Sequence, residues 1–320
     1  MTKRNLILIH RGPEYERDFD EIAATVNAID KDITVYHLPA SLRVELPVSA
    51  WQYPTLTVAL TSQFKLPIRR GPIFKAEAYQ KLTQQEIFWK NGIPTPPAAR
   101  FSIGLKLDPI LFGEFVVLKT IDLTQTSKGN GVFLFRRRRL DALSPSNIAG
   151  IPKVLRRGGT FIVQKFIDTG SFPNHFRVQT FFGEVIYSWK QVLENRRPSL
   201  DSPDDVLEAA VVASQGGDRS FRLNYDSDVL ELARQVHKCF PNIPMLGVDI
   251  VRDCNSERLY VLECNAGGNT WHFSSAMGET LRLKLSNGSS ESGRQMLMEQ
   301  FNAFDLVSRA LVYQTMNNAC

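Results

Sequence analysis

Two apolar runs in the last quarter of the chain carry acids where a buried strand should carry hydrocarbon: Gly247-Val248-Asp249-Ile250-Val251 and Tyr260-Val261-Leu262-Glu263-Cys264-Asn265. Side chains alternate along a strand, so Glu263 and Asn265 share one face. The turn-like Asp253-Cys254-Asn255-Ser256-Glu257 between them predicts a hairpin centred near Ser256, which sets Asp249 opposite Glu263 on that face. Burying carboxylates together is costly, and both do not ionise unless something positive stands between them. A divalent cation is the economical partner, and oxygen-only ligation by Asp249, Glu263 and Asn265 points to Mg²⁺ or Mn²⁺. The alternative, a solvated sheet face with Asn265 in a turn, sits poorly with apolar neighbours on both runs.

The remaining chain is organised as an α+β protein. Residues 6–9, a Gly-Pro turn, an amphipathic stretch over 15–29 and apolar runs at 35–38 and 55–60 predict a small α/β domain over 1–72, its boundary near Arg70-Gly71-Pro72. A helix is expected over 74–91, ended by Gly92. Beyond it, β-rich runs at 115–119, 132–135, 161–166, 176–182 and 185–189 are separated by Gly-containing turns and predict antiparallel pairing in two further units, 73–165 and 166–320. The polar stretch 194–222 reads as a long mobile loop, 226–240 as a helix, 284–293 as a flexible Ser/Gly-rich loop and 296–313 as a closing amphipathic helix.

Composition narrows the function classes. With 320 residues, 43% hydrophobic and 22% charged, the chain is neither disordered nor fibrous. Four cysteines lack zinc-ligand spacing, and no apolar run reaches membrane-spanning length, so a reduced, cytoplasmic protein without a membrane partner is expected. The net charge of +5 suits nucleic acid, phosphorylated ligands or carboxylates equally. A second local signal is Ser127-Lys128-Gly129-Asn130-Gly131, whose backbone amides could approach phosphate closely; no Gly-Lys-Ser/Thr and no helix follow, so it is not a P-loop, and an ordinary hairpin turn is the competing reading.

The order of these motifs resembles the ATP-grasp superfamily of ligases, and within it the ribosomal-modification and glutathione-synthetase-like members. Lys81 precedes Gly92-Ile93-Pro94-Thr95-Pro96; Val117-Leu118-Lys119 precedes the Gly-rich loop; Gln164-Lys165-Phe166-Ile167, Arg177, Gly247-Val248-Asp249 and Leu262-Glu263-Cys264-Asn265 follow in order. The resemblance implies an ATP-grasp fold with nucleotide held between two antiparallel β-sheet subdomains. It implies that Lys81 and Lys119 hold phosphates, that Ser127, Lys128, Gly129 and Gly131 close over them, and that the adenine is read around Lys165, Phe166 and Ile167 with Gln164 at the hinge. By the same resemblance Asp168 serves the ribose, Asp249, Glu263 and Asn265 bind Mg²⁺, and Arg177 faces the transferring phosphoryl group. After Asn265 the sequence runs Ala266-Gly267-Gly268-Asn269-Thr270 rather than small-small-Pro-Gly, which suggests a different acceptor side.

The activity so implied is ATP-dependent ligation of a small-molecule or peptide carboxylate to an amine through an acyl phosphate, in a family where homodimers are common. Two rivals stand beside it: a small-molecule kinase of the same superfamily, similar to inositol polyphosphate kinases, and a basic nucleic-acid-binding protein with a vestigial nucleotide site. Nucleic acid is the weakest partner, because Arg136-Arg137-Arg138-Arg139 lacks aromatic stacking neighbours and reads better as a solvated face. Arg219 and Arg222 are candidates to fold over a substrate carboxylate or γ-phosphate, a solvated loop being the alternative. His10, ending the first strand, and His272, just past the acidic motif, are candidates for substrate contact, whereas alternation turns Cys264 to the opposite face as an apolar filler.

Overall fold

The computed structural model describes residues 3–40, 46–66, 70–120, 132–144, 155, 160–210, 212, 218–267 and 270–320. The unbroken apolar run of β1 (Arg4–His10) is buried on both faces, as a central parallel strand requires. It lies between β2 (Ile33–Pro39) and β3 (Thr55–Ala59), all parallel, with β4 (Ile73–Lys75) beyond β3. Helix α1 (Glu16–Ile29) covers this sheet through Phe19, Ile22 and Val26. The helix expected over 74–91 is therefore shorter: Ile73 and Phe74 are taken as a sheet edge, and α2 spans Lys81–Lys90.

Two antiparallel sheets follow. One, ordered β5-β8-β6-β7, comprises β5 (Ala98–Phe101), β6 (Phe115–Thr120), β7 (Val132–Arg136) and β8 (Phe161–Lys165), with short helices α3 (Pro109–Phe112) and α4 (Arg137–Asp141). On β6, Val116 and Leu118 enter its small core with Phe135 and Val163. Val117 and Lys119, on the opposite face, line a cleft. The other sheet comprises β9 (Asn174–Phe181), β10 (Glu184–Leu193), β11 (Arg219–Leu223), β12 (Met245–Arg252) and β13 (Leu259–Ala266), in the order β11-β10-β9-β12-β13. Its rear face, with Phe176, Val178, Val248 and Ile250, packs against α6 (Ser227–Lys238), and its front face carries the polar groups described below.

Three expectations, two loops and the closing helix, are corrected. Within 194–222, helix α5 (Asp204–Glu208) and strand β11 form, because Leu207 finds a buried place beside Val117 and Leu134 and β11 pairs with β10. The stretch 284–293 ends α7 (Glu279–Leu285) and starts α8 (Ser290–Gln300); Ser289 caps α8, its Oγ accepting from Ser292 N at 3.1 Å. The closing helix of 296–313 is two: α8 stops at Gln300, Asn302 takes a left-handed φ of 54°, and α9 runs Ala303–Asn318. Helix α9 returns to α1, where Phe304, Val307 and Leu311 join the core of the first sheet. Buried Asp18 binds this corner by accepting from Trp271 Nε1 at 2.8 Å and Arg294 Nε at 2.9 Å. Among the described residues no helix is long and apolar enough to cross a membrane.

Candidate active site

The acidic hairpin pairs in the expected register, Asp249 with Glu263 and Gly247 with Asn265. A bulge follows, since Ile250 pairs with Val261 and leaves Leu262 as the extra residue of β13. That extra residue lets Leu262 and Glu263 both line the cleft, which strict alternation forbids. On its other side Asp249 pairs with Arg177 of β9, so three neighbouring strands present Arg177, Asp249 and Glu263 in a row.

Sheet edge β13 is closed by α2. Buried Gln84 donates to Cys264 O at 3.0 Å and accepts from Cys264 N at 2.8 Å, and Gln85 donates to Leu262 O at 3.2 Å. Thr95 adds a bond to Val261 O at 3.0 Å. Strapped in this way, the first residue of α2 places Lys81 Nζ 3.0 Å from Glu263. Across the cleft, Lys119 Nζ of β6 donates to Gln164 Oε1 of β8 at 2.7 Å.

Each carboxylate is matched by a cation. Arg177 holds Asp249 in a two-pronged pair, Nη2 lying 2.7 Å from Oδ2 and Nε close to Oδ1, and Asn265 donates to Oδ2 at 3.3 Å. Burial alone would raise the Glu263 carboxyl, but the ammonium groups of Lys81 and Lys119 outweigh it and hold its pKa below the ordinary value. Burial lowers Lys119 to about 8, a fall that Lys81 reinforces and Glu263 resists. His175, which alternation puts on the Arg177 face, stands 3.7 Å from Asp249 and is held below its ordinary pKa by burial. Two carboxylates and an amide oxygen are a donor set that fits magnesium. Among the described residues no three His, Cys, Asp or Glu side chains gather for a softer metal.

The cleft is lined from both antiparallel sheets. Val117, Val132, Ile167, Val251 and Leu262 make an apolar slot, with Lys165 and Phe166 beside it, and Lys81, Lys119, Asp249 and Glu263 close one end. A flat apolar ring with a polyanionic tail matches that division of surface.

Other expected residues fall elsewhere. Asp168 is not in the lining; Arg197 Nη2 donates to both its oxygens at 2.8 Å, and Thr169 lines the cleft instead. Arg222 lies on the rear face of its sheet beside its cross-strand neighbour Lys190, in a separate groove, because β11 alternates; Arg219 is on the front side and depresses the His175 pKa. Ser127, Lys128, Gly129 and Gly131 lie outside the described residues. Of the four arginines, Arg136 and Arg139 pair with Asp204 and Glu208 of α5, Arg137 with Asp141, and Arg138 alone is exposed, so the run is a latch more than a solvated face. His10 is buried with Nδ1 2.9 Å from Gly12 O. His272 is buried between Tyr187 and Trp189, and Cys264 is in the rear core as alternation requires.

No protein-family model and no curated protein sequence matches the chain. Solved structures do. The ATP-grasp ligase PsnB, complexed with a phosphomimetic variant of its minimal precursor, Mg and ADP, is similar over 98% of this chain and 100% of its own, at TM-score 0.50 and 13% identity. D-cycloserine synthetase DcsG matches over 93% of this chain and 99% of its own (TM-score 0.45, 13% identity). D-alanine–D-alanine ligase from Bacillus anthracis, complexed with ATP, matches over 97% and 99% (TM-score 0.43, 12% identity). At such identity the likeness to PsnB speaks to the fold, and the fold is ATP-grasp: a parallel α/β sheet followed by two antiparallel sheets that face each other across a cleft.

Proposed function

We propose that the chain is an ATP-dependent carboxylate–amine ligase. The observation that carries this reading is the cleft itself, an apolar slot between two antiparallel sheets that ends in Lys81, Lys119, Asp249 and Glu263, with Arg177 paired to Asp249 behind it. On this reading the adenine occupies the slot against Lys165, Phe166 and Ile167, and Lys81 and Lys119 take the phosphates as point charges. Asp249, Glu263 and Asn265 would hold Mg²⁺, which would supply neutralisation of phosphate charge.

The chain's own part is positioning. A substrate carboxylate oxygen attacks the γ-phosphorus as the bond to ADP breaks, and Arg177 neutralises charge on the phosphoryl group. The amine then attacks the acyl carbon, phosphate departs, and the amine proton is lost to solvent or phosphate. No Ser-His or Cys-His pair is required, and burial raises the Cys264 thiol far above its ordinary pKa, which keeps it inert.

The test is ³¹P NMR of the protein with Mg·ATP and pooled amino acids, short peptides, hydroxy acids and polyols. ADP and free phosphate, formed only when a carboxylate and an amine are both present, are expected. ADP accompanied by a new phosphomonoester would make the protein a kinase, and absence of turnover together with salt-sensitive oligonucleotide binding would make it a nucleic-acid-binding protein.

A further inference from the structure

Beside the Arg177–Asp249 pair the same sheet face carries polar groups that nothing so far employs. Gln179, two residues along β9 from Arg177, is fully buried, yet neither its carboxamide nitrogen nor its oxygen has a hydrogen-bond partner among the described residues. Trp189, the cross-strand neighbour of Arg177 on β10, is 5% exposed, and its indole Nε1 is likewise unpartnered there. Buried polar atoms in native proteins are paired almost without exception, and each left unpaired costs about 1–3 kcal/mol. Three on adjacent positions of one face call for a ligand.

The face is built to keep them in place. Tyr187 stacks on the Trp189 ring at 5.7 Å, and its own hydroxyl is anchored by donating to Thr270 O and accepting from His272 N. Gly247, opposite Gln179 on β12, lets these two side chains lie over its backbone: a Cβ there would stand 2.9 Å from Gln179 Oε1 and 3.2 Å from Arg177 Nη1. Arg177 grips Asp249 through Nε and Nη2, so its Nη1 reaches over Gly247 beside the carboxamide.

We infer that Arg177, Gln179 and Trp189 form the subsite for the reacting carboxylate, and that the substrate is an α-amino or α-hydroxy carboxylate. The inference rests on the ligase reading and names its acceptor. Arg177 Nη1 and Trp189 Nε1 are donors and take the carboxylate oxygens; Gln179 Oε1 is an acceptor and takes an N–H or O–H from the adjacent carbon, which a plain aliphatic acid lacks. Arg177 and Gln179 are one strand from Asp249 and two from Glu263, next to where the phosphoryl group would arrive.

Saturation-transfer NMR tests this with L-alanine, D-alanine, lactate and propionate as probes, each titrated onto the full chain saturated with Mg·ADP. Expected are binding of at least one alanine enantiomer and of lactate, propionate weaker by about tenfold or more, and loss of that difference in Gln179→Met. Trp189→Phe, which keeps an aromatic ring and deletes the N–H, weakens every acid that binds, and both variants keep wild-type affinity for Mg·ADP, the control for folding. Propionate binding as tightly as alanine and lactate, a difference that survives Gln179→Met, or no probe binding while Mg·ADP binds, overturns the subsite and leaves the ligase reading standing. Failure of Mg·ADP to bind the wild-type chain overturns that reading and the subsite together.

Discussion

Glu263 keeps its charge at a largely covered position because Lys81 touches it and Lys119 faces it across the cleft. Glu263→Gln leaves both ammonium groups without that counter-charge, and the expected result is turnover reduced about a hundredfold or more with cooperative unfolding retained, read by phosphate release and calorimetry. Asp249→Asn is the harsher change, since it strips a buried guanidinium of its partner; it should abolish turnover and cost about 3–5 kcal/mol in denaturant titration. Wild-type activity in both variants removes the metal assignment. Gly247→Ala should displace Gln179 and the Arg177 side chain, costing about 1–3 kcal/mol and most of the activity. At this scale alternation and the turn-like 253–257 made the Asp249–Glu263 pairing legible in the sequence, although the pairs nearest the turn, Arg252 with Leu259 to Ile250 with Val261, are offset from a centre at Ser256 and the bulge restores the expected register. Alternation from Arg177 also marks His175 and Gln179. What it could not reveal was the bulge at Leu262, which depends on how β13 meets its neighbours, or the Arg197 grip on Asp168, which joins residues far apart in the chain.

Helix α6 illustrates how an element ties stability to pH. Its His237 is buried against β9, with Nδ1 2.7 Å from Thr180 Oγ1 and Nε2 3.0 Å from Ile243 O, and burial lowers its pKa from 6.5 to about 4. The folded chain therefore holds this imidazole neutral where the unfolded chain protonates it. The stabilisation is complete above pH 6.5, declines as the pH falls from there to about 4, and amounts to about 3 kcal/mol. Stability measured by urea titration across that window should slope downward on acidification, and His237→Gln should flatten the slope; an unaltered slope refutes the assignment. Helices and strands were easier to foresee than their ends. Periodicity marks α6 and β12 well, whereas α5 and β11 form inside a polar stretch because Leu207 and the edge of β10 offer them partners that no local pattern announces. Likewise α2 is short because β3 recruits Ile73 and Phe74, and its hold on β13 rests on Gln84, an ordinary surface residue by type.

Across the whole molecule one buried core joins the first sheet to the five-stranded sheet, Leu6, Leu8 and Leu56 sharing a cluster with Phe181, Tyr187, Trp189 and Met245, and charged ties add to it. The latch of Arg136 and Arg139 on α5 links the two halves of the cleft, and the Asp18–Arg294–Trp271 cluster links the first sheet to the last helices. Asp18→Asn leaves a buried guanidinium unmatched and should lower stability by about 3–5 kcal/mol, seen as a fall in Tm, although Asp18 lies far along the chain from its partners. That architecture was only partly open to sequence reasoning: the α/β start and the antiparallel body follow from pattern, but the return of α9 to α1 does not. The return has a bearing on biosynthesis. Strand β1 and α1 leave the ribosome well before α9, so the apolar side of α1 waits for all the intervening elements to be made before Phe304, Val307 and Leu311 shield it. Contacts of such wide sequence separation close slowly. The nascent chain thus carries the α9-facing side of α1 uncovered until α9 emerges, which makes it a client for hydrophobic-segment chaperones over that interval.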